Sequence, residues 1–238
     1  MGVGIASQVV PLGVGYVTAP PAVVVGGPYL DAMVGTVSTP DPGPWPSPCV
    51  FVVDLDGPVI GGGAREIAAQ FDGPGREWRL IRESAANVAT FGVIAYPSGT
   101  TSPIEVTYAN NQGQVPIDGT RQRWAIAFTR DNGSGLRACR LYKRTGSGAW
   151  VQQGTERTGP AIAYTDVSSA LRIGNWLGGS NPWSGRIYSV ELRTGLDPTA
   201  GTVVWRFDAK DWPGAGTIYV DPRGRTWTLT TAGAIVDP

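Results

Sequence analysis

A chain of 238 residues with 19 basic and 19 acidic side chains has no net formal charge. With no basic excess or basic stripe, nucleic acid is set aside as a partner. It has no histidine, which removes Ser-His-Asp and Cys-His nucleophile systems, imidazole acid–base chemistry and ordinary zinc sites.

The first thirty residues, MGVGIASQVVPLGVGYVTAPPAVVVGGPYL, set short Val-rich bursts between Gly and Pro and sustain no helical period. They are too interrupted to build a core and too apolar for a solvated tail. The expected structure is an extended docking arm that buries Val9, Val10 and Tyr16 against another subunit; the alternative is an arm folded back on its own domain. No positive region precedes the first apolar burst, so no secretory leader is expected here, and no apolar run is long enough to span a bilayer. Thr39–Pro48 has five prolines in ten residues and predicts a stiff connector. Within it Trp45 is expected to be a docking anchor at an interface or a local lid over the arm.

From Cys49 the strand signals become regular. CVFVVDLDG, EIAAQFD, REWRLIRE, ATFGVIAY and PIEVTYANNQG are β-rich runs closed by turns. RQRWAIAFTRDNGSG alternates cleanly, with Trp124, Ile126 and Phe128 on one face and Arg123, Ala125 and Thr129 on the other. LRACRLYKRTGSGAWVQQG predicts a hairpin about TGSG, and LRIGNWLGGSNPWSGRIYSVELRTG a strand, a Gly/Asn loop and a strand. The only helical hint is a turn near Val167–Leu171. VVWRFDAKDW, TIYVD and TWTLT are short strands, with Trp227 and Leu229 opposite Thr226 and Thr228, and Ile235 closes the chain.

Turns recur about every 8–12 residues, as in an antiparallel sandwich or barrel. With 34 Gly, 20 Pro and nine Trp, the chain has material for tight turns and for a core, but not for long helices. The expected division is a docking arm over 1–48, a β-sandwich over 49–200, and strands over 201–238 that complete or flank it. Charged residues are only 16%, against roughly 25% for an average soluble chain. A surface of Ser, Thr, Asn, Gln and Gly suits packing into a larger assembly.

Three segments together resemble the concanavalin A-like, laminin-G-like jelly-roll family. RQRWAIAFTRDNGSG–LRACRLYKRTGSGAW is similar to its Trp-strand, turn and Leu-Tyr strand hairpin. LRIGNWLGGSNPWSGRIYSVELRTG is similar to its Ile-Gly strand, loop and aromatic-x-Gly-x-Ile strand. VVWRFDAKDWPGAG–TIYVDPRGRTWTLTTAGAI resembles the tail end of laminin-G-like minor tail proteins in phages of high-GC actinobacteria. The resemblance covers about residues 50–238. It implies a non-enzymatic virion protein made in a host cytoplasm, held in multiple copies to other tail or capsid subunits by its arm. A head decoration protein that clamps neighbouring subunits is the alternative.

Family members that bind sugar or calcium do so at a rim of the sandwich. The loop GNWLGGSNPW places Asn175, Trp176 and Asn181 where a Trp platform and two amides suit a sugar; the alternative is that Trp176 plugs the core under the loop. Trp183, at the aromatic-x-Gly position, is expected to pack inward. Asp54 and Asp56 share a strand face but lack the further oxygens of a calcium cage, so no metal and no cofactor is expected. The paired acids of concanavalin-like glucanases are not found: Glu66 has no acid neighbour, and Glu77 and Glu83 sit beside arginines expected to lower their pKa. The turn at Asp131 is no nucleophile elbow. A glycan-active enzyme is therefore the third choice. Cys49 and Cys139, ninety positions apart, form no CxxC pair and are expected as buried free thiols, with a disulfide left open.

Overall fold

The computed structural model describes residues 27–56, 63–72, 75–85, 88–97, 104–107, 120–164, 166, 168–175, 182–214, 216–231 and 234–237. The strands, in chain order, are β1 (Tyr29–Asp31), β2 (Val37–Thr39), β3 (Cys49–Asp56), β4 (Gly63–Asp72), β5 (Gly75–Ala85), β6 (Val88–Ala95), β7 (Ile104–Thr107) and β8 (Arg121–Thr129). They continue as β9 (Leu136–Arg144), β10 (Val151–Pro160), β11 (Leu171–Ile173), β12 (Arg186–Thr194), β13 (Val203–Asp208), β14 (Ile218–Val220), β15 (Thr226–Leu229) and β16 (Ile235–Val236). One sheet runs β10-β9-β8-β3-β12-β1-β16, with β13 also paired to β12. The other runs β14-β15-β2-β11-β4-β5-β6-β7. The named pairings are antiparallel, and the fold is the expected all-β sandwich.

Between the sheets lies an aromatic core. Trp45, Trp78, Trp124, Trp183, Trp205 and Trp227 are each at most 1% exposed, and Trp212 joins them. The alternation in β8 places its residues as expected, with Trp124, Ile126 and Phe128 in this core and Ala125 and Ala127 on the outer face. The loop after β8 is tied by Asp131, whose carboxylate accepts from the amides of Gly133 (2.8 Å) and Gly135 (3.1 Å). Both glycines have positive φ, 86° and 72°, which they adopt without side-chain strain.

Several expectations are corrected. Residues 1–48 are not an arm throughout, because β1 pairs with β12 and β16, and β2 with β11 and β15. Trp45 is neither a docking anchor nor a lid: it is 1% exposed and stacks on Phe128 with centroids 5.0 Å apart. Its proline-rich surroundings reach the core because Arg130 donates to the Trp45 carbonyl (3.0 Å) and the Trp45 amide donates to the Tyr164 hydroxyl (2.9 Å). No helix forms over the described residues of 167–171; the described helix is a single 3-10 turn, Ala209–Asp211. Val9, Val10 and Tyr16 lie outside the described residues. The strands after residue 201 are distributed over both sheets, with β13 and β16 in one and β14 and β15 in the other.

Cys49 and Cys139 form no disulfide and are buried. Phe128 of β8 stands between them in the ladder, which separates them by two strand spacings, about 9–10 Å, beyond disulfide reach. Burial raises the Cys49 thiol to about 12, against a hydrogen bond from Trp45 that lowers it, so the thiol stays protonated and unreactive.

Candidate functional site

The outer face of the first sheet holds most of the described surface relief. In β3, Phe51, Val53 and Leu55 point into the core, which turns Val50, Val52 and Asp54 outward. The register aligns outward residues of five strands into rows. One row runs Arg144, Arg123, Asp54, Ser189, Asp208. The next runs Tyr142, Ala125, Val52, Glu191, Arg206, and the third Arg140, Ala127, Val50, Arg193. The middle of the face is thus a floor of small apolar side chains, against which Tyr142, Trp150 and Leu196 pack.

Along the charged rows runs a groove of about 480 Å³ whose walls include Trp150 and Tyr188. Two neighbouring depressions share Arg144 with it, one beside Lys143 and Ser147, the other beside Tyr142 and Leu196. The groove carries six cations (Arg121, Arg123, Arg144, Arg193, Arg206 and Lys210) against three carboxylates (Asp54, Glu191 and Asp208).

Each carboxylate is held by a cation. Asp54, 3% exposed, accepts from Arg121 Nε (2.7 Å) and Nη2 (2.9 Å) and from Arg123 Nε (2.7 Å). Glu191 pairs with Arg193, and Asp208 with Arg206 and, at 3.4 Å, Lys210. Arg144 differs. Its guanidinium donates to the carbonyls of Gly148 (2.8 Å) and Ser147 (3.2 Å) and lies 5.9 Å from the Trp150 ring. Among the described residues it enters no ion pair. The Arg121 guanidinium sits 3.8 Å over the Tyr188 ring, which fixes one wall. The face therefore offers an apolar floor, a half-buried indole and arginine donors. That is the equipment for holding a polar chain molecule by stacking and hydrogen bonds.

Asp54 and Asp56 are on one face, as the spacing required, but arginines use them both. Asp56 accepts from the Arg186 amide at 2.5 Å, with the Arg186 guanidinium at 3.6 Å.

A second cluster groups Asp41, Glu77 and Asp166, with one carboxylate oxygen from each within 4.8 Å of the other two. Glu77 is buried and accepts from the Tyr164 hydroxyl and, at 3.3 Å, from the Ser169 amide. Asp41 accepts from the Gly43 amide (2.8 Å) and Gln70 Nε2 (3.0 Å). Burial raises Glu77 to about 7; the bonds from Tyr164 and Ser169 oppose the shift, and Asp166 and Asp41 add to it. The expectation that arginines would lower Glu77 is corrected, because Arg79 instead pairs with Glu66. Three carboxylates are the kind of oxygen donors that suit a hard cation, and a carboxyl near 7 can also carry a proton at neutral pH. Sequence spacing gave no sign of this group, since its members come from a loop, a strand and another loop.

Of the loop residues expected to meet sugar, Asn175 is half-buried after Gly174, and Trp176 and Asn181 lie outside the described residues. Asn175 lines none of the three depressions. Trp183 is fully buried.

No protein-family model matches the sequence, and neither does any curated protein. Among solved structures, a candidate carbohydrate-binding protein from Bacteroides ovatus is similar over 88% of this chain, with a TM-score of 0.53 and 13% identity. The chain spans 59% of that protein's length. A heptameric SAP-like pentraxin from Limulus polyphemus is similar over 68% of this chain and 77% of its own, with a TM-score of 0.39 and 12% identity. The first likeness is one of fold.

Proposed function

We propose that the chain is a non-catalytic, glycan-contacting sandwich carried on a phage virion as a minor tail protein. The observation that carries the glycan reading is the outer face of the first sheet. Three depressions meet there at Arg144, beside the half-buried Trp150 and over an apolar floor. The lectin-like fold, shared with a candidate carbohydrate-binding protein, supports it. Single-site contacts of this kind are weak, and many copies on one particle would supply avidity.

The tail placement rests on the resemblance of residues 203–235 to phage tail proteins and on the Gly/Pro/Ala/Val-rich composition of the chain. Its partners would be other virion subunits, engaged by the segment before β1. A glycan array with the wild type, Trp150→Ala and Arg144→Ala tests the binding face. Binding by the wild type that both variants lose supports it; no binding, or equal binding by all three, removes it. Mass spectrometry of purified particles tests placement. Few copies fit a tail, hundreds fit the head-decoration alternative, and absence from particles refutes both.

The Asp41–Glu77–Asp166 cluster favours a second reading, glycan hydrolysis, because it brings a carboxyl near 7 beside two further acids. Polysaccharide turnover abolished in Glu77→Gln would establish it.

A further inference from the structure

Arg82 is a buried cation that enters no ion pair among the described residues. It lies on the inward face of β5, in step with Leu80 and Trp78, and is 2% exposed. Its Nε and Nη2 have no hydrogen-bond partner. Arginine is almost never fully buried unless it is paired. Its cross-strand neighbour on β4 is Arg65, whose buried Nε is also without a partner, and its neighbour on β6 is Phe91. Across the sandwich the Arg82 guanidinium is 5.7 Å from the Trp183 ring, and the Trp183 indole N–H is a third buried donor with no acceptor.

Among the described residues no carboxylate answers these charges. Asp56, on the facing sheet at this end, is engaged by Arg186, and Glu66, next to Arg65, is engaged by Arg79. Burial, and after it the charge of Arg65, lowers Arg82 to about 10. The acids whose side chains are not among those described are Asp72, Glu83, Glu105 and Asp118. Gly185 leaves the indole N–H uncrowded, since a Cβ there would come within 2.9 Å of Trp183 Nε1 and 2.6 Å of the Asp56 carbonyl oxygen.

We propose that Arg82, Arg65 and the Trp183 indole N–H form an internal site for a tetrahedral oxyanion, sulfate or phosphate, free or as the end group of a larger ligand. A guanidinium donates in a fork to two oxygens of such a group. The second arginine matches a second negative charge, which favours a dianion over a single carboxylate. The site is separate from the outer groove and does not depend on glycan binding there.

The test compares melting of the full chain in chloride and in sulfate or phosphate at matched ionic strength, for the wild type and Arg82→Leu. Because sulfate stabilises most proteins by exclusion, the readout is the difference between the two proteins. The expected result is a saturable rise in Tm for the wild type beyond that of the variant. In chloride alone, Arg82→Leu should be at least as stable as the wild type, because removing an unpaired buried charge relieves a desolvation penalty. Equal responses to sulfate, or marked destabilisation of Arg82→Leu in chloride, would overturn the proposal; the latter would mean an internal counter-charge. If Arg82→Leu does not fold, Arg65→Leu and calorimetric titration of the wild type with sulfate replace it, and absence of binding heat overturns the site. A glucose sulfate alongside the inorganic ion separates the two sources. Tighter binding of the sugar identifies a ligand end group, and binding of the free ion alone a structural anion.

Discussion

Glu77→Gln probes how burial controls ionisation in the acidic cluster. The Glu77 carboxyl is raised from 4.5 to about 7, so between those values the folded chain holds a proton that the unfolded chain has released. Stability falls as pH rises wherever the folded state binds more protons. The contribution of Glu77 is therefore greatest below its unfolded pKa and is lost as pH rises through its folded pKa. A shift of this size at about 1.4 kcal/mol per pH unit amounts to about 3 kcal/mol. Glutamine keeps the shape and an acceptor for the Tyr164 hydroxyl but cannot ionise. Urea unfolding of both proteins in chelator, from about pH 4 to about pH 8, should show the variant gaining on the wild type by about 3 kcal/mol. The difference should level off above pH 7. A difference that does not change with pH, or one that favours the wild type as pH rises, would refute the assignment of a neutral, buried Glu77.

The same cluster should respond to calcium: at about pH 8, where Glu77 is ionised, added calcium should stabilise the wild type but not Asp41→Asn/Asp166→Asn, and identical melting curves would dismiss a cation there. Trp45→Ala should cost about 3–5 kcal/mol in urea unfolding, and a loss below about 1 kcal/mol would contradict its stacking in the core. Asp54→Ala should cost about 2 kcal/mol, the worth of hydrogen bonds to charged groups reduced because Arg121 and Arg123 reach solvent; an unchanged midpoint would show the pairing to be energetically idle. Thiol reagent should modify neither cysteine in the folded chain and both after unfolding without reductant, and one or no reactive thiol would contradict the free, buried pair.

Much of the scaffold was legible locally. The faces of β8 follow from a two-residue period, and so do those of β15, where Trp227 and Leu229 are buried and Thr226 and Thr228 exposed. Such patterns need only neighbours in sequence. The three-residue strands β1 and β2 gave no such pattern, because they are too short for a period to repeat. They exist because partners far along the chain pair with them, as when Thr36 donates its amide to the Thr230 hydroxyl at 2.8 Å.

The candidate sites were legible only in fragments. Arg123 and Ala125 already read as one face of a strand. Nothing in the sequence, however, said that Asp54, Ser189 and Asp208 complete the row, because register between distant strands is set by packing. Trp45 shows the same limit: five nearby prolines suggest a stiff, exposed connector, and only the approach of Phe128, Trp78 and Tyr164 makes it core. Arg82 shows it in reverse. It alternates with Leu80 and Trp78 on β5, and its lack of a counter-charge among the described residues is a property of the surrounding volume. The sequence by itself determined strand faces, turns and the missing imidazole chemistry, because those depend on residue type and near neighbours. Tertiary structure alone decided which charges meet, since ion pairing and burial are fixed by distances between segments remote in the chain.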